Sequence, residues 1–371
     1  MQTGKKRVLL LGASGSIGKS TLDVLRTFPD KFELTGFSVH SDIEFGEKIK
    51  TEFPKAFFYS TAADLSGTVK KLIEESNADI AVNGIAGSQG LRASVEVVNA
   101  GMDLALANKE TIVTAGELIF EHAVETGSKI IPVDSEHAAV FNLIAAHKKE
   151  NISRIIITAS GGPFRNTPFE ELKNMTANDA LKHPTWNMGG KITIDSASLA
   201  NKALEVIEAV KLFGVPACKI TVTVHPQSIV HSMVQTLNGE VYAQMSPPDM
   251  RNPILNALSF EKMPIGYLPP LNFEKMLKLE FIPPRREDFP MLDLGFLAAE
   301  KLAAYPIAFN AANEQAVEAF FCGKIKFTDL AYIVQRVLDS DWTLKPSSYT
   351  EVYSLESKAK ELAEKYITAL A

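Results

Sequence analysis

The sequence predicts an α/β protein with an N-terminal doubly wound domain, a central α/β domain and a C-terminal helical bundle. Short apolar runs alternate with helical patterns up to residue 149, and an Asn-Gly hairpin signal joins alternating segments at 238–239. Four helical patterns fill the last 80 or so residues, as in a small bundle. The predicted boundaries are 1–149, 150–261, a linker at 262–290 and 291–371.

Composition narrows the class of protein. The chain has 371 residues, 46% hydrophobic and 22% charged, which is ordinary for a protein with large cores, and its net charge is −6. This charge gives no footprint for nucleic acid or a membrane surface. Cys218 and Cys322 lie far apart without metal spacing, which argues against a disulfide framework or zinc site. The first strand begins near Arg7, with no room for a signal peptide, so we expect a cytoplasmic protein.

A glycine-rich turn follows the first predicted strand. Residues 7–12 form a buried apolar run, Gly12-Ala13-Ser14-Gly15-Ser16-Ile17-Gly18 follows, and residues 19–28 have a helical pattern. Strand, glycine turn and helix are typical of a Rossmann-type dinucleotide site, where helix N–H groups bind the pyrophosphate. The spacing is G-x-x-G-x-x-G, so a plain tight βα turn is the alternative.

The second strand, at 32–39, ends where such sites read the adenosine ribose. An acid there fits NAD, and a basic residue fits the 2′-phosphate of NADP. The residues are His40-Ser41-Asp42, which leave both cofactors open.

The remaining βα alternation brings polar clusters to strand ends. Predicted strands and helices continue at 56–59, 68–76, 78–83, 91–100, 103–107, 111–126, 129–133 and 138–147. Asn83-Gly84, Asn108-Lys109-Glu110 and Asp134-Ser135-Glu136 each follow a strand. Carboxyl ends of parallel strands share one edge, where ligands bind. The last two clusters are therefore expected where a cofactor's reactive end arrives.

Asp134 and Glu136 share a face if the chain stays extended, because side chains two apart point the same way. Two such carboxylates repel each other unless one is protonated or a cation lies between them. The alternative is a helix N-terminus, with Asp134 or Ser135 as the cap and Glu136 in the first turn.

Two loops of the central region suit ligand binding. The strand at 154–158 ends in Ala159-Ser160-Gly161-Gly162, which could bind an anion or simply be a glycine loop. Residues 165–191 lack periodicity, and their segment 183–190, with Trp186 and Met188, resembles a lid with an apolar lining. A tryptophan packed on the surface is the alternative.

Residues 195–213 begin with a cap signature and continue as an amphipathic helix. Its expected buried side is formed by Leu199, Leu204, Ile207 and Val210. Asn201 and Glu205 stack four residues apart, with Lys202 beside them, which suits either a solvated stripe or a phosphate site. The further predicted elements are strands at 219–224, 228–236 and 240–246 and helices at 292–304, 308–321, 328–339 and 351–369.

Seven motifs now coincide with one family. They are the glycine turn at 12–18, Ala-Asn-Lys-Glu at 107–110, Pro-Val-Asp-Ser-Glu-His at 132–137, Ala-Ser-Gly-Gly-Pro-Phe at 159–164, His-Pro-Thr-Trp-Asn-Met-Gly at 183–189, Asn-Lys-Ala-Leu-Glu at 201–205 and His-Pro-Gln-Ser at 225–228. In this order they closely resemble the 1-deoxy-D-xylulose 5-phosphate reductoisomerase family. The resemblance extends to Asn-Ala-Ala-Asn-Glu at 310–314.

The resemblance implies an enzyme of the non-mevalonate isoprenoid pathway with a catalytic central domain. It would rearrange 1-deoxy-D-xylulose 5-phosphate and reduce the product with NADPH to 2-C-methyl-D-erythritol 4-phosphate. The metal ligands implied are Asp134, Glu136 and Glu205, which with Lys109 form the catalytic set. The substrate residues implied are Ser135, Ser160, His183, Trp186, Met188, Ser196, Asn201 and Lys202. The cofactor contacts implied are Gly12, Ser14, Gly15, Ser16, Ile17, Asn108, Glu110 and Gly189.

The chemistry of these residues agrees with the resemblance. Three carboxylates without a thiolate suit Mg²⁺ or Mn²⁺, with Co²⁺ as a further candidate. The family also implies a homodimer formed through the central domain. One departure is that family members usually carry a lysine where this chain has His40-Ser41-Asp42; we nevertheless expect NADPH rather than NADH.

Two other functions compete with this one. A semialdehyde dehydrogenase on a similar plan needs a nucleophilic cysteine, and neither Cys218 nor Cys322 follows a convincing active-site turn. A catalytically inactive nucleotide-binding regulator has no need of Asp134, Glu136 and Glu205 together.

Overall fold

The computed structural model describes residues 4–186, 188–260 and 266–370. Positions 261–265, within the predicted central domain and linker, and Asn187 of the predicted lid lie outside the described residues. The chain forms two compact units. The first contains Met1–Thr111, Glu117–Ala138 and Asp249–Leu268, and the second contains Ile112–Gly116, Ala139–Pro248 and Pro269–Ala371. Within the described ranges, no helix is both long and apolar enough to cross a membrane.

Across the residues that the structure describes, ten strands form two sheets. Their bounds are β1 Lys6–Leu11, β2 Phe32–Val39, β3 Phe57–Ser60, β4 Ile80–Asn83, β5 Asp103–Leu106, β6 Ile130–Pro132, β7 Ile152–Ala159, β8 Ile220–Val224, β9 Val230–Thr236 and β10 Val241–Met245. The first unit holds a parallel sheet in the order β3-β2-β1-β4-β5-β6. This is the doubly wound order, with its switch point between β1 and β4, so the predicted Rossmann-type fold is confirmed. Each predicted strand of this sheet lies within two residues of its observed bounds.

The same described residues form fifteen α-helices. Their bounds are α1 Ser16–Thr27, α2 Ile43–Glu52, α3 Leu65–Ser76, α4 Gln89–Asn99, α5 Lys109–Thr126, α6 Ser135–His147, α7 Phe169–Leu172, α8 Ala177–Ala180, α9 Gly190–Ser198, α10 Ala200–Phe213, α11 Arg251–Leu258, α12 Met291–Lys301, α13 Tyr305–Phe321, α14 Asp329–Leu338 and α15 Tyr349–Leu370. Two 3₁₀ turns, Lys149–Asn151 and Ala217–Lys219, precede β7 and β8.

The sequence missed α2 and α11 in the first unit. Only Gly46 and Ile49 of α2 are buried, so its apolar stripe is too thin to recognise. The α11 helix carries Pro253 at its third position, where no intrahelical N–H bond is lost. Ile254 and Leu258 of α11 lie in the core cluster of the parallel sheet. The predicted assignment of these residues to the central domain therefore differs from the observed grouping.

The second unit contains the mixed sheet β10-β9-β7-β8, in which β7 and β8 are parallel and the other pairs are antiparallel. The hairpin predicted at Asn238-Gly239 is confirmed, with Gly239 at φ +89°. The four predicted C-terminal helices are confirmed as α12–α15, and they group with this sheet in one unit rather than separately. Within 266–290, the chain makes one isolated bridge, between Val224 and Ile282.

The predicted single helix over 195–213 is wrong at its start. Asp195 lies near the end of α9, which begins at Gly190, and Leu199 separates α9 from α10. Leu199 has φ +63°, a left-handed conformation that costs an L-residue about 1–2 kcal/mol. Its side chain is only 4% exposed, so burial offsets the backbone cost.

Candidate functional site

The glycines of the first unit's turn let the start of α1 pack closely against the end of β1. Gly12 has φ +82°, and a Cβ on Gly18 would lie 2.4 Å from the carbonyl oxygen of Gly12. Helix α1 starts at Ser16, three residues before its predicted start, so its first N–H groups, which have no intrahelical acceptor, lie at the turn. The predicted cofactor residues of this segment all fall on the turn or the first helical turn: Gly12, Ser14, Gly15, Ser16 and Ile17.

Asn108 ties together the loops that follow β4 and β5. Its Oδ1 accepts the Thr111 N–H at 3.0 Å and caps α5, while its Nδ2 donates to the carbonyls of Ile85 and Gly87 at 2.9 and 2.8 Å. Nδ2 also lies 2.9 Å from Oε2 of Glu110, which is 7% exposed. The two predicted cofactor residues Asn108 and Glu110 are therefore brought together at the carboxyl edge of the sheet.

The cluster after β6 combines a helix cap with an ion pair. Oδ1 of Asp134 accepts the N–H groups of Glu136 and His137 at 3.1 and 3.3 Å, which caps α6. Its Oδ2 accepts from Nζ of Lys109 at 2.8 Å, and Lys109 is 6% exposed. The helix N-terminus alternative is therefore confirmed, with Asp134 as the cap and Glu136 in the first turn, and the role of the two carboxylates at a cation site stays a prediction.

Two carboxylates lie close together in this cluster. Oxygens of Asp134 and Glu136 lie within 4.8 Å of each other, and Ser135 donates its hydroxyl to Glu136. The sequence did not assign a role to His137, whose fully buried Nδ1 lies 3.2 Å from Asp134. Like charges this close favour a bound cation.

In the second unit, one histidine joins two serines. Nδ1 of His183 accepts the backbone N–H groups of Thr185 and Trp186 at 3.1 and 2.9 Å. We therefore assign the ring proton to Nε2, which lies 3.0 Å from Oγ of Ser160 and 3.2 Å from Oγ of Ser196. His183 thus lies within hydrogen-bonding distance of Ser160 and Ser196. These three predicted substrate residues come from a loop, the end of β7 and α9.

The environment of His183 keeps its ring neutral. Burial, together with the nearby positive charge of Arg165, lowers the pKa of His183 to about 4. Since the hydroxyl oxygens of Ser160 and Ser196 accept from Nε2, their own protons can point towards an anion. Arg165 belongs to none of the sequence motifs, so its electrostatic effect on His183 is visible only in the folded chain.

Helix α10 carries a buried charged group. Glu205, 1% exposed, accepts from Nζ of Lys202 at 2.5 Å and from Nδ2 of Asn201 at 2.6 Å. Lys202 is itself 4% exposed. The solvated-stripe alternative is therefore wrong for Lys202 and Glu205. A buried carboxylate and ammonium on one helix are costly to desolvate, which favours a functional reason for them.

The segment predicted as a lid, 183–190, begins with His183 of the serine cluster. Trp186 and Met188 are half-buried, and Gly189 caps α9 by accepting from N and Oγ1 of Thr193 at 3.1 and 2.8 Å. The closing motion of this segment stays a prediction.

Comparison with known families gives one consistent answer. A profile described as 1-deoxy-D-xylulose 5-phosphate reductoisomerase matches residues 8–68 and 61–116, and its C-terminal domain profile matches 130–213. A profile described as DXP reductoisomerase C-terminal domain matches 245–362.

Individual relatives match over nearly the whole chain. A 1-deoxy-D-xylulose 5-phosphate reductoisomerase of Treponema denticola is 66% identical over 97% of both chains, and that of Treponema pallidum is 48% identical over 96% of both. A solved structure of the Zymomonas mobilis enzyme in complex with NADPH has a TM-score of 0.88 and 35% identity, covering 98% of this chain and 99% of that one. Another, of a DOX-P reductoisomerase with NADPH, fosmidomycin and magnesium, has a TM-score of 0.90, 31% identity and the same coverage.

Proposed function

This chain belongs to the 1-deoxy-D-xylulose 5-phosphate reductoisomerase family, and from that premise we propose its reaction. It rearranges 1-deoxy-D-xylulose 5-phosphate and reduces the resulting aldehyde with NADPH to 2-C-methyl-D-erythritol 4-phosphate, in the non-mevalonate isoprenoid pathway. The observation that carries the proposal is 66% identity to a relative of that name over 97% of the chain. The semialdehyde dehydrogenase and the inactive regulator are both disfavoured. The relatives of this chain are named as reductoisomerases, and Asp134, Glu136 and Glu205 are all present.

NADPH is the proposed cofactor, because solved relatives are described in complex with it. The glycine turn and α1 would bind its pyrophosphate, and Asn108, Glu110 and Gly189 would contact the nicotinamide half. His40 and Ser41 are exposed at the end of β2, whereas Asp42 accepts the Phe45 N–H at 3.1 Å and caps α2. Asp42 is the one acidic residue of this turn, and its carboxylate holds the start of α2. Because an acid that binds the adenosine ribose is typical of NAD sites, this cap supports NADPH over NADH.

Asp134, Glu136 and Glu205 are the proposed ligands of a divalent cation. The donor set fits, because three carboxylates suit a hard ion such as Mg²⁺ or Mn²⁺, with Co²⁺ as a further candidate. Asp134 and Glu205 each pair with a lysine, so both carboxylates already sit beside a positive charge. Magnesium is named in a related structure, which supports that ion first.

The substrate phosphate is proposed to bind Ser160, Ser196, Asn201 and Lys202. The neutral His183 orients the two hydroxyls, and the Lys202 ammonium supplies charge. We propose that Ser135 and Lys109 contact the rest of the sugar.

The protein's own share of the reaction is positioning and exclusion of water. When bound, the cation supplies a Lewis acid and NADPH supplies the hydride. Lys109 keeps a buried positive charge beside Asp134, which stabilises developing negative charge on the substrate. Trp186 and Met188 are proposed to cover the substrate, which would protect the aldehyde from water.

The direct test follows NADPH absorbance with 1-deoxy-D-xylulose 5-phosphate, with and without Mg²⁺ or Mn²⁺. We expect oxidation of NADPH only when both substrate and metal are present. No oxidation in any condition would refute the proposed reaction, and turnover after chelation of all metal would refute the metal's role.

A homodimer is a separate proposal. It is supported by β10, an edge strand of the mixed sheet where Val241 is 50% exposed and Tyr242 is 36% exposed, and by Leu237, 71% exposed, at the hairpin. Light scattering should give twice the chain mass, and Val241→Lys should lower it. We also propose a cytoplasmic location, supported by the free, exposed thiols of Cys218 and Cys322.

A further inference from the structure

A buried amide of α13 holds the helix that carries Ser196. Nδ2 of Asn313 donates to Oδ1 of Asp195 at 2.8 Å, across 118 positions of sequence. Asn313 is 0% exposed and Asp195 is 1% exposed. A hydrogen bond to a buried carboxylate is among the stronger ones, because the charge has little water to pair with.

The carboxylate of Asp195 accepts the hydrogen bonds that hold α9. Its Oδ2 accepts from Nζ of Lys191 at 2.9 Å, one turn earlier, and its neighbour Ser196 faces His183. Successive helical residues point about 100° apart, so a bond on the Asp195 face sets the rotation of the Ser196 face. Any rotation of α9 about its axis would move Ser196 Oγ relative to His183.

The loop after β7 packs closely against the same helix. Gly162 has φ +68°, and a Cβ there would lie 2.4 Å from the carbonyl oxygen of Ser196. The N–H of Gly162 also lies 3.2 Å from Oγ of Ser160. The spacing between Ser160 and Ser196 therefore depends on how closely α9 is pressed towards this loop.

Asn310 offers a natural comparison on the same helix. It is one turn before Asn313 and is also 0% exposed, and within the described part of the chain its Nδ2 donates to Glu314 of its own helix, at 3.4 Å. Both amides keep a buried Oδ1 without a hydrogen-bond partner among the described residues. The two residues thus match in type, helix and burial, and differ in that Asn313 donates a hydrogen bond to α9.

We propose that Asn313 is a positioning residue for the sugar-phosphate site: its bond to Asp195 fixes α9 so that Ser196 meets the phosphate. The inference rests on the proposed function. It gives the C-terminal helices a role in substrate recognition, because α13 supplies the group that orients α9.

The test compares purified full-length Asn313→Ala and Asn310→Ala with the wild-type enzyme. For Asn313→Ala we expect KM for 1-deoxy-D-xylulose 5-phosphate to rise about tenfold, with KM for NADPH within twofold of wild type. Asn310→Ala should keep both KM values within twofold, although both variants lose a buried amide. Asp195→Asn retains an oxygen acceptor for Asn313, so its KM for the sugar phosphate should rise less than that of Asn313→Ala.

The outcomes separate the two proposals. Equal effects of Asn313→Ala and Asn310→Ala on the sugar-phosphate KM, or parallel rises in both KM values, would overturn the positioning role. If Asn313→Ala does not fold, Asn313→Leu decides, because leucine keeps the approximate volume of the side chain but has no N–H donor for Asp195. Wild-type KM values or a rise confined to the KM for NADPH would overturn the proposal, and a selective rise for the sugar phosphate would support it. An inactive wild-type enzyme would instead refute the proposed function.

Discussion

Asp134 in the first unit and Glu205 in the second are both paired with lysine, but their settings differ. Asp134 follows a strand, caps α6 and keeps 12% of its side chain exposed. Glu205 lies inside α10 with 1% exposed, and Asn201 and Lys202 of its own helix hold it. The first carboxylate has a structural role without any ligand. The second places a buried charge inside a helix, at a position that is not a cap.

This difference shows how a buried charge reveals function. A helix cap alone is worth about 1 kcal/mol, so Asp134 would be explained without a metal. Burial of the Lys202–Glu205 pair costs desolvation free energy, and the attraction between the two charges offsets only part of that cost. Glu205 is therefore the stronger indication of a site, although its sequence position resembles an ordinary helix face.

The largest expected effect comes from Glu205→Gln. Removal of this carboxylate should lower kcat/KM on the order of 10²- to 10³-fold, because a proposed metal ligand is lost. Steady-state NADPH oxidation measures it, with circular dichroism as the check on folding. Glu318→Gln, at an exposed position within α13, is the control and should keep wild-type activity. Wild-type activity in Glu205→Gln would remove Glu205 from the site.

Asp134→Asn should sharpen the contrast, because asparagine still caps a helix. We expect wild-type thermal stability within a few degrees and at least tenfold weaker Mn²⁺ binding, with activity reduced about 10²-fold. Calorimetric titration with Mn²⁺ gives the affinity. Unchanged Mn²⁺ affinity together with wild-type activity would mean that Asp134 is only a cap.

The lowered pKa of His183, in the serine cluster of the second unit, predicts that the free energy of unfolding depends on pH. Its folded pKa of about 4 lies below the ordinary 6.5, so the unfolded chain takes up the proton first as pH falls. The stabilisation is therefore full above pH 6.5 and is lost towards pH 4. Between pH 7.5 and 5, the free energy of unfolding should fall about 1 kcal/mol more in wild type than in His183→Gln, discounted for the ring's partial exposure.

Urea denaturation at the two pH values measures this difference. An identical fall in both proteins would show that His183 is not the group responsible.

The smallest effect is expected from Asp64→Ala. Asp64 also follows a strand and caps a helix, since its Oδ1 accepts the Gly67 N–H at 3.0 Å. Loss of this cap should cost about 1 kcal/mol of stability and leave catalysis unchanged. Reduced kcat in this variant would show that a lost cap alone impairs the enzyme, which would weaken the case from Asp134.

The sequence by itself determined the parallel sheet, the glycine turn, the hairpin and the C-terminal helices. Buried strands and amphipathic helices leave a local period, and turns leave Gly or Asn-Gly, so these features need no knowledge of distant residues. The position of Asp134 at a strand end followed from the same alternation. The motif order was sufficient to indicate the family.

The tertiary structure alone decided which side chains meet. The break at Leu199 depends on burial of a left-handed residue, and no local period marks it. The bond from Asn313 to Asp195 joins two helices 118 positions apart, and nothing in either segment names its partner. Lys202 and Glu205 look solvated in sequence, because a helix pattern gives the face of each residue but not what packs against that face.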